Sequence, residues 1–137
     1  MLTICVGIQC VVVVVLLHLF VLGRTRRVFK LSLIGMWWIL SLVMLIFAAG
    51  VMVQVALWAG LFTALGEFDD FTTAYYHSLV NFATLGYGDL VMSPGRRLLG
   101  AIEAVNGALM LGLTASSMYA VLSELIRRFA VASRSRG

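Results

Sequence analysis

The hexapeptide Thr84-Leu85-Gly86-Tyr87-Gly88-Asp89 sets the architecture that the rest of the chain must support. It lies between two long apolar runs, directly after a short amphipathic segment. A loop that takes a monovalent cation out of water must offer oxygens in place of the hydration shell. Backbone carbonyls do this only when successive ones point the same way, which needs φ to alternate between right- and left-handed values. Glycine reaches positive φ without steric cost, and Gly86 and Gly88 stand at every second position. Thr84 adds a hydroxyl at the inner end, and Tyr87 carries a ring large enough to wedge the loop against the helix before it. A string of Gly and Asp is also the chemistry of an ordinary turn, so the flanks decide between the two.

Before the motif, Glu67, Asp69 and Asp70 form an acidic, water-facing turn. Residues 71–83 follow as a mostly apolar and aromatic segment, too short to cross a bilayer, with Asp70 or Thr72 placed to cap its start. This is the pattern of a re-entrant half-helix, tolerated at membrane depth only when protein or a water-filled cavity surrounds it. After the motif, Met92-Ser93-Pro94-Gly95 turns the chain and Arg96-Arg97 opens a last helix.

The 137 residues are 62% hydrophobic and 12% charged, with mean hydropathy +1.05. A soluble domain of this size cannot hide so much apolar surface, so the composition implies a single-domain integral membrane protein. The net charge is +4, but the basic residues flank apolar runs instead of forming a soluble face, which excludes nucleic acid as the partner. Membrane lipid is the expected surrounding. Cys5 and Cys10 point to different faces of a helix, so no disulfide is expected between them.

The first run, residues 1–23, is uncharged and long enough for a hydrocarbon core of about 30 Å. A signal peptide is the competing reading. No basic residue precedes the run, and it ends on Arg24, Arg26, Arg27 and Lys30, not a small-residue cleavage site, so a retained transmembrane helix is expected. Gln9 and His18 within it should face protein. The second run, 31–66, is also uncharged and exceeds one crossing, so it tilts or projects. Trp37 and Trp38 mark one interface and Trp58 is a candidate for the other. The last helix, 97–129, holds Gly100, Gly107 and Gly112, which permit close approach or bending, and the acidic Glu103 and Glu124.

Eight of the ten basic residues fall between the first two helices or after the last: Arg24, Arg26, Arg27, Lys30, Arg127, Arg128, Arg134 and Arg136. Positive charge gathers on the cytoplasmic side. The N-terminus, the acidic turn and the exit of the motif are then outside, and the C-terminus is cytoplasmic, in the plasma (inner) membrane. Arg96 and Arg97 fall on the outer side beside Asp89 and the acidic turn, where neutralisation of those carboxylates accounts for them. Arg127 and Arg128 are explained by this anchoring more simply than by binding of anionic lipid. No helix has Arg at every third position, as a voltage sensor requires.

The order helix, half-helix, Thr84-Leu85-Gly86-Tyr87-Gly88-Asp89, helix resembles the pore module of the potassium channel superfamily over roughly residues 31–129. It is most similar to small bacterial channels with two pore helices per subunit, here with one extra helix in front. The resemblance implies an all-α membrane protein with three transmembrane helices, a re-entrant pore half-helix and a selectivity-filter loop, assembled as a homotetramer around one axis. Residues 1–23 would be the extra helix and 24–30 a basic cytoplasmic loop. The pore domain 31–129 would comprise an outer helix 31–66, pore helix 71–83, filter 84–89 and inner helix 97–129, with a short basic tail at 130–137. Potassium would be lined by the Thr84 hydroxyl and the carbonyls of Thr84, Leu85, Gly86 and Tyr87, with Gly88 completing the filter. Gly107 falls near the hinge glycine of the family's inner helix, and Gly112 is a second candidate hinge.

Three positions depart from the family pattern. Ala83 stands where many members have a second threonine, and Leu85 where valine or isoleucine is commoner. Val80 occupies a position that holds, in some relatives, a glutamate paired with the residue matching Asp89, so that support for the filter is missing. Glu103 is expected to brace the filter from behind. The implied function is passive, potassium-selective conduction. The alternatives are a non-conducting regulatory or partner subunit that keeps the pore fold, and a potassium transporter subunit. No catalytic constellation and no cofactor is expected, and potassium enters as the transported ion. His18 and His77 lie on separate segments, and His77 is expected to pack within the half-helix.

Overall fold

The computed structural model describes residues 1–21 and 33–134. The expected basic loop 24–30 and Arg136 lie outside them, as do the side chains of His18 and Arg134. The described residues form four helices and no strand: α1 (Leu2–Val21), α2 (Leu33–Ala64), α3 (Phe71–Phe82) and α4 (Arg97–Arg134). By length and apolarity α2 and α4 can cross a membrane, and α1 contains a shorter apolar helical stretch, Thr3–Leu16. A valine-rich segment such as α1 is a mediocre helix former in water. In an apolar surrounding the need to satisfy every backbone group internally favours the helix regardless.

The surface is apolar. Ile34, Trp37, Trp38 and Leu45 of α2 are each about two-thirds exposed or more, and so are Leu98 and Tyr119 of α4. Such a surface suits lipid or further protein, not water. Beneath it lie two apolar clusters. One joins Cys5, Val55, Trp58, Ala59, Phe62, Ala74, Phe82, Met92 and Met110. The other joins Leu16, Val43, Phe47, Val121 and Leu125. Trp58 corrects an expectation: it is 2% exposed, its ring centroid 5.7 Å from that of Phe62. It fills the seam around α3 and is not an interface anchor.

The connections follow from local chemistry. Gly66, at φ +72°, ends α2. Its N–H donates to the Thr63 carbonyl and that of Glu67 to the Phe62 carbonyl, the Schellman pattern that needs a left-handed residue. The Glu67 carboxylate then accepts from the Ser93 N–H at 2.9 Å, the Ser93 hydroxyl at 2.8 Å and Arg96 at 2.8 Å. Arg96 also donates to the Leu65 carbonyl. The Ser93 hydrogen bonds first, and Arg96 after them, hold the Glu67 carboxyl below its ordinary range. This clip fastens the α2–α3 turn to the start of α4. Helix α4 runs to Arg134, beyond the expected end at residue 129, because Ala130, Val131 and Ala132 contain no helix breaker.

Candidate functional site

Helix α3 is built to deliver the 84–89 loop. Asp70 caps it, accepting from the Thr73 N–H at 2.8 Å and the Thr73 hydroxyl at 2.6 Å. Of the two candidate caps, Asp70 is the one used. At the other end the N–H groups of Ala83, Thr84 and Leu85 donate back to the carbonyls of Leu79, Asn81 and Val80. The loop thus leaves the helix with its first donors already spent.

From there the backbone alternates in hand. Thr84 has φ +58°, Gly86 +60° and Gly88 +74°, while Leu85 and Tyr87 between them do not have positive φ. Alternating handedness turns successive peptide planes so that their carbonyls lie along one side. Thr84 is the only non-glycine residue of positive φ among the described residues. A β-branched residue is rarely found there, and the geometry is held by the hydrogen bonds at the helix end. Nothing in the composition of the segment marks Thr84 for this conformation, and sequence reasoning assigned it only to the two glycines. The loop is exposed on one side: Leu85 is 53% and Tyr87 65% exposed. Within its own chain Tyr87 is therefore not wedged tightly against α3.

The support for Asp89 comes from a residue that sequence reasoning passed over. The Tyr76 hydroxyl donates to Asp89 Oδ2 at 2.7 Å, and the Leu90 N–H donates to Oδ1 at 3.1 Å. Val80 is buried and apolar, as expected, and gives Asp89 nothing. Tyr76 lies one helical turn earlier on the same face, and its longer side chain reaches across. The tyrosine hydrogen bond is the main cause that holds the Asp89 carboxyl below its ordinary value of 3.8.

Behind the loop runs a part-buried polar chain. His77 Nδ1 is 3.2 Å from the Leu90 carbonyl oxygen, so that nitrogen carries the proton and Nε2 accepts from Asn81 Nδ2 at 2.9 Å. The same Asn81 amide donates to Glu103 Oε2 at 3.4 Å. The chain from Leu90 through His77 and Asn81 to Glu103 ties the loop exit to α4. His77 is 5% exposed and packs against Phe62 and Phe68. Glu103 and Asn106 are fully buried, and Glu103 Oε1 and both polar atoms of the Asn106 side chain have no partner among the described residues.

The glycines of α4 differ in their surroundings. A Cβ at Gly107 would sit 2.0 Å from the Phe82 carbonyl oxygen, and one at Gly100 3.2 Å from Asn81 Nδ2. Both let α4 press against the end of α3. A Cβ at Gly112 would meet nothing within 4 Å. Among the described residues no group of three or more His, Cys, Asp or Glu is arranged to hold a metal ion.

A family model described as "Ion channel" matches residues 36–124, well over half of the chain, spanning most of α2, all of α3 and the loop, and most of α4. No curated protein and no solved structure matches.

Proposed function

The chain belongs to this ion channel family, the pore module of the potassium channel superfamily, and from that membership we propose that it is one subunit of a homotetrameric, potassium-selective channel. The observation that carries the reading is the alternation of left-handed φ at Thr84, Gly86 and Gly88, the backbone that a column of carbonyl oxygens requires. In this reading the carbonyls of Thr84, Leu85, Gly86 and Tyr87 and the Thr84 hydroxyl replace the hydration shell of potassium, and Gly88 turns the chain out of the filter. The C-terminal end of each α3, with roughly −0.5 elementary charge, favours a cation at the inner mouth.

Four copies are supported by what one copy leaves uncovered. One chain offers one strip of carbonyls, where a shell needs oxygens on all sides. Leu98, Ile102, Val105 and Leu109 follow one another along a single face of α4 and are 71%, 42%, 61% and 55% exposed. Neighbouring copies would cover such a stripe, and would also receive Tyr87 and Leu85. Residues 1–23 are read as a third crossing, with the N-terminus outside and the C-terminus cytoplasmic. Opening is read as bending of α4 at Gly112, because Gly107 is occupied in contact with α3.

The function is tested by uptake into liposomes that hold the purified protein. Potassium-driven uptake that sodium does not support is the expected result. Silence in both salts, from an intact tetramer, would assign the chain to the non-conducting partner class.

The filter's support yields two predictions. Tyr76→Phe deletes the hydroxyl that holds Asp89, at about 0.5–1.5 kcal/mol per subunit, and conduction should lapse several-fold faster in single-channel records. Because the Asp89 carboxyl is depressed, its hydrogen bond is complete above 3.8 and is lost only as pH falls through the lowered value. External acidification from about pH 7 to about pH 5 should therefore leave this support intact. Asn81→Leu removes the amide shared by His77 and the buried Glu103 carboxyl group. Stranding a buried acceptor costs about 1–3 kcal/mol or more, so the variant should melt at lower temperature in detergent and decay faster in current. Unchanged melting and decay would remove Glu103 from the filter's support.

A further inference from the structure

Between the two apolar clusters lies a polar layer, part-buried at Thr114, that joins three helices. Gln9 of α1 and Gln54 of α2 are both fully buried. Gln54 Nε2 donates to Gln9 Oε1 at 3.2 Å, and Gln9 Nε2 donates to Thr114 Oγ1 of α4 at 2.7 Å. Along each helix the polar residue falls between members of the two clusters: Gln9 between Cys5 and Leu16, Gln54 between Phe47 and Val55, Thr114 between Met110 and Val121. Uncompensated amides are costly in apolar surroundings, so each helix has one register in which these groups meet.

The position of Thr114 gives this layer its consequence. Helix α4 is fixed upstream, where Gly107 touches the Phe82 backbone, and is unencumbered at Gly112. Thr114 lies just past that free point, and α4 continues unbroken through it. The family match begins at residue 36, so α1, which supplies Gln9, lies outside the matched module.

We propose that α1 is a built-in restraint on the gate: the Gln54–Gln9–Thr114 relay holds the part of α4 beyond Gly112 in its unbent position, and α4 must give up the Gln9–Thr114 hydrogen bond in order to bend. The extra helix is thus a regulatory element of the pore, joined to the moving half of α4 by one polar contact. This rests on the channel reading above, since it assigns the relay a role in opening.

Thr114→Val removes the acceptor while keeping the shape, and Thr114→Ser keeps the hydroxyl. Two readouts are taken on the full chain in lipid: hydrogen–deuterium exchange of the α4 amides at 113–125, which needs no conduction, and open probability. Side-chain hydrogen bonds within membranes average about 0.6 kcal/mol, or about threefold. Thr114→Val and Gln9→Leu should each raise exchange by about threefold and open probability by about threefold or more, since four copies of the contact are released in the proposed tetramer. The double variant should do no more than either alone, and Thr114→Ser should behave as wild type. Unchanged exchange in both single variants would overturn the restraint. So would faster exchange with open probability unchanged or lowered. If wild type conducts no ion while exchange responds as expected, the channel reading fails, and with it the gating role, while the mechanical clamp stands.

Discussion

Replacing Gly86 with alanine is expected to leave a folded, assembled protein that no longer passes potassium. Gly86 sits at φ +60°, and a Cβ there would meet no atom within 4 Å. The penalty is therefore conformational and confined to the loop. An L-residue in the left-handed region costs about 1–2 kcal/mol, and in the proposed tetramer four copies bring this to roughly 4–8 kcal/mol. The loop then relaxes by turning peptide planes out of the column. Flux should fall by on the order of a thousandfold or more, while oligomer size and helix content, read by native mass spectrometry and circular dichroism, stay unchanged. Near-normal flux through Gly86→Ala would mean that the 84–88 backbone does not line the pathway.

Gly107→Ala should fail for a different reason. The added Cβ would lie 2.0 Å from the Phe82 carbonyl oxygen and 2.7 Å from its carbon. These are backbone atoms at the end of α3, which cannot swing aside as a side chain would. Helix α4 must retreat from the base of the loop, and overpacking of this kind costs about 1–3 kcal/mol or more in each subunit. A lower melting temperature and loss of assembled protein are expected. Gly112→Ala is the control: it has space, gains about 1 kcal/mol of helix propensity, and should fold normally while opening less often. If the two alanine variants behaved alike in melting and assembly, the contact between Gly107 and Phe82 would not be what sets the α3–α4 packing.

The helical order and the short segment before the loop were legible because bilayer thickness and charge-free runs constrain length strongly. The two loop glycines were legible because positive φ has a residue type attached to it. Thr84 was not, since its φ is imposed by hydrogen bonds at the end of α3. Tyr76 was hidden because the departure at Val80 directs attention to one position, while a longer side chain one turn away does the work. Trp58 was misplaced because interface and core tryptophans look alike in a run that is apolar all round. Gly107 and Gly112 are both candidate hinges in sequence, and only the Phe82 backbone beside Gly107 separates contact from free pivot. Gln9 was expected to face protein, but its partners Gln54 and Thr114 come from helices distant in the chain.

If the backbone of Thr84 to Gly88 selects potassium, the current must tell potassium from sodium. The most direct test is the reversal potential of the purified protein in a planar bilayer with potassium on one side and sodium on the other. The current should reverse near the potassium equilibrium potential and shift with potassium concentration alone. A reversal potential near zero, with sodium carrying current as readily as potassium, would contradict it.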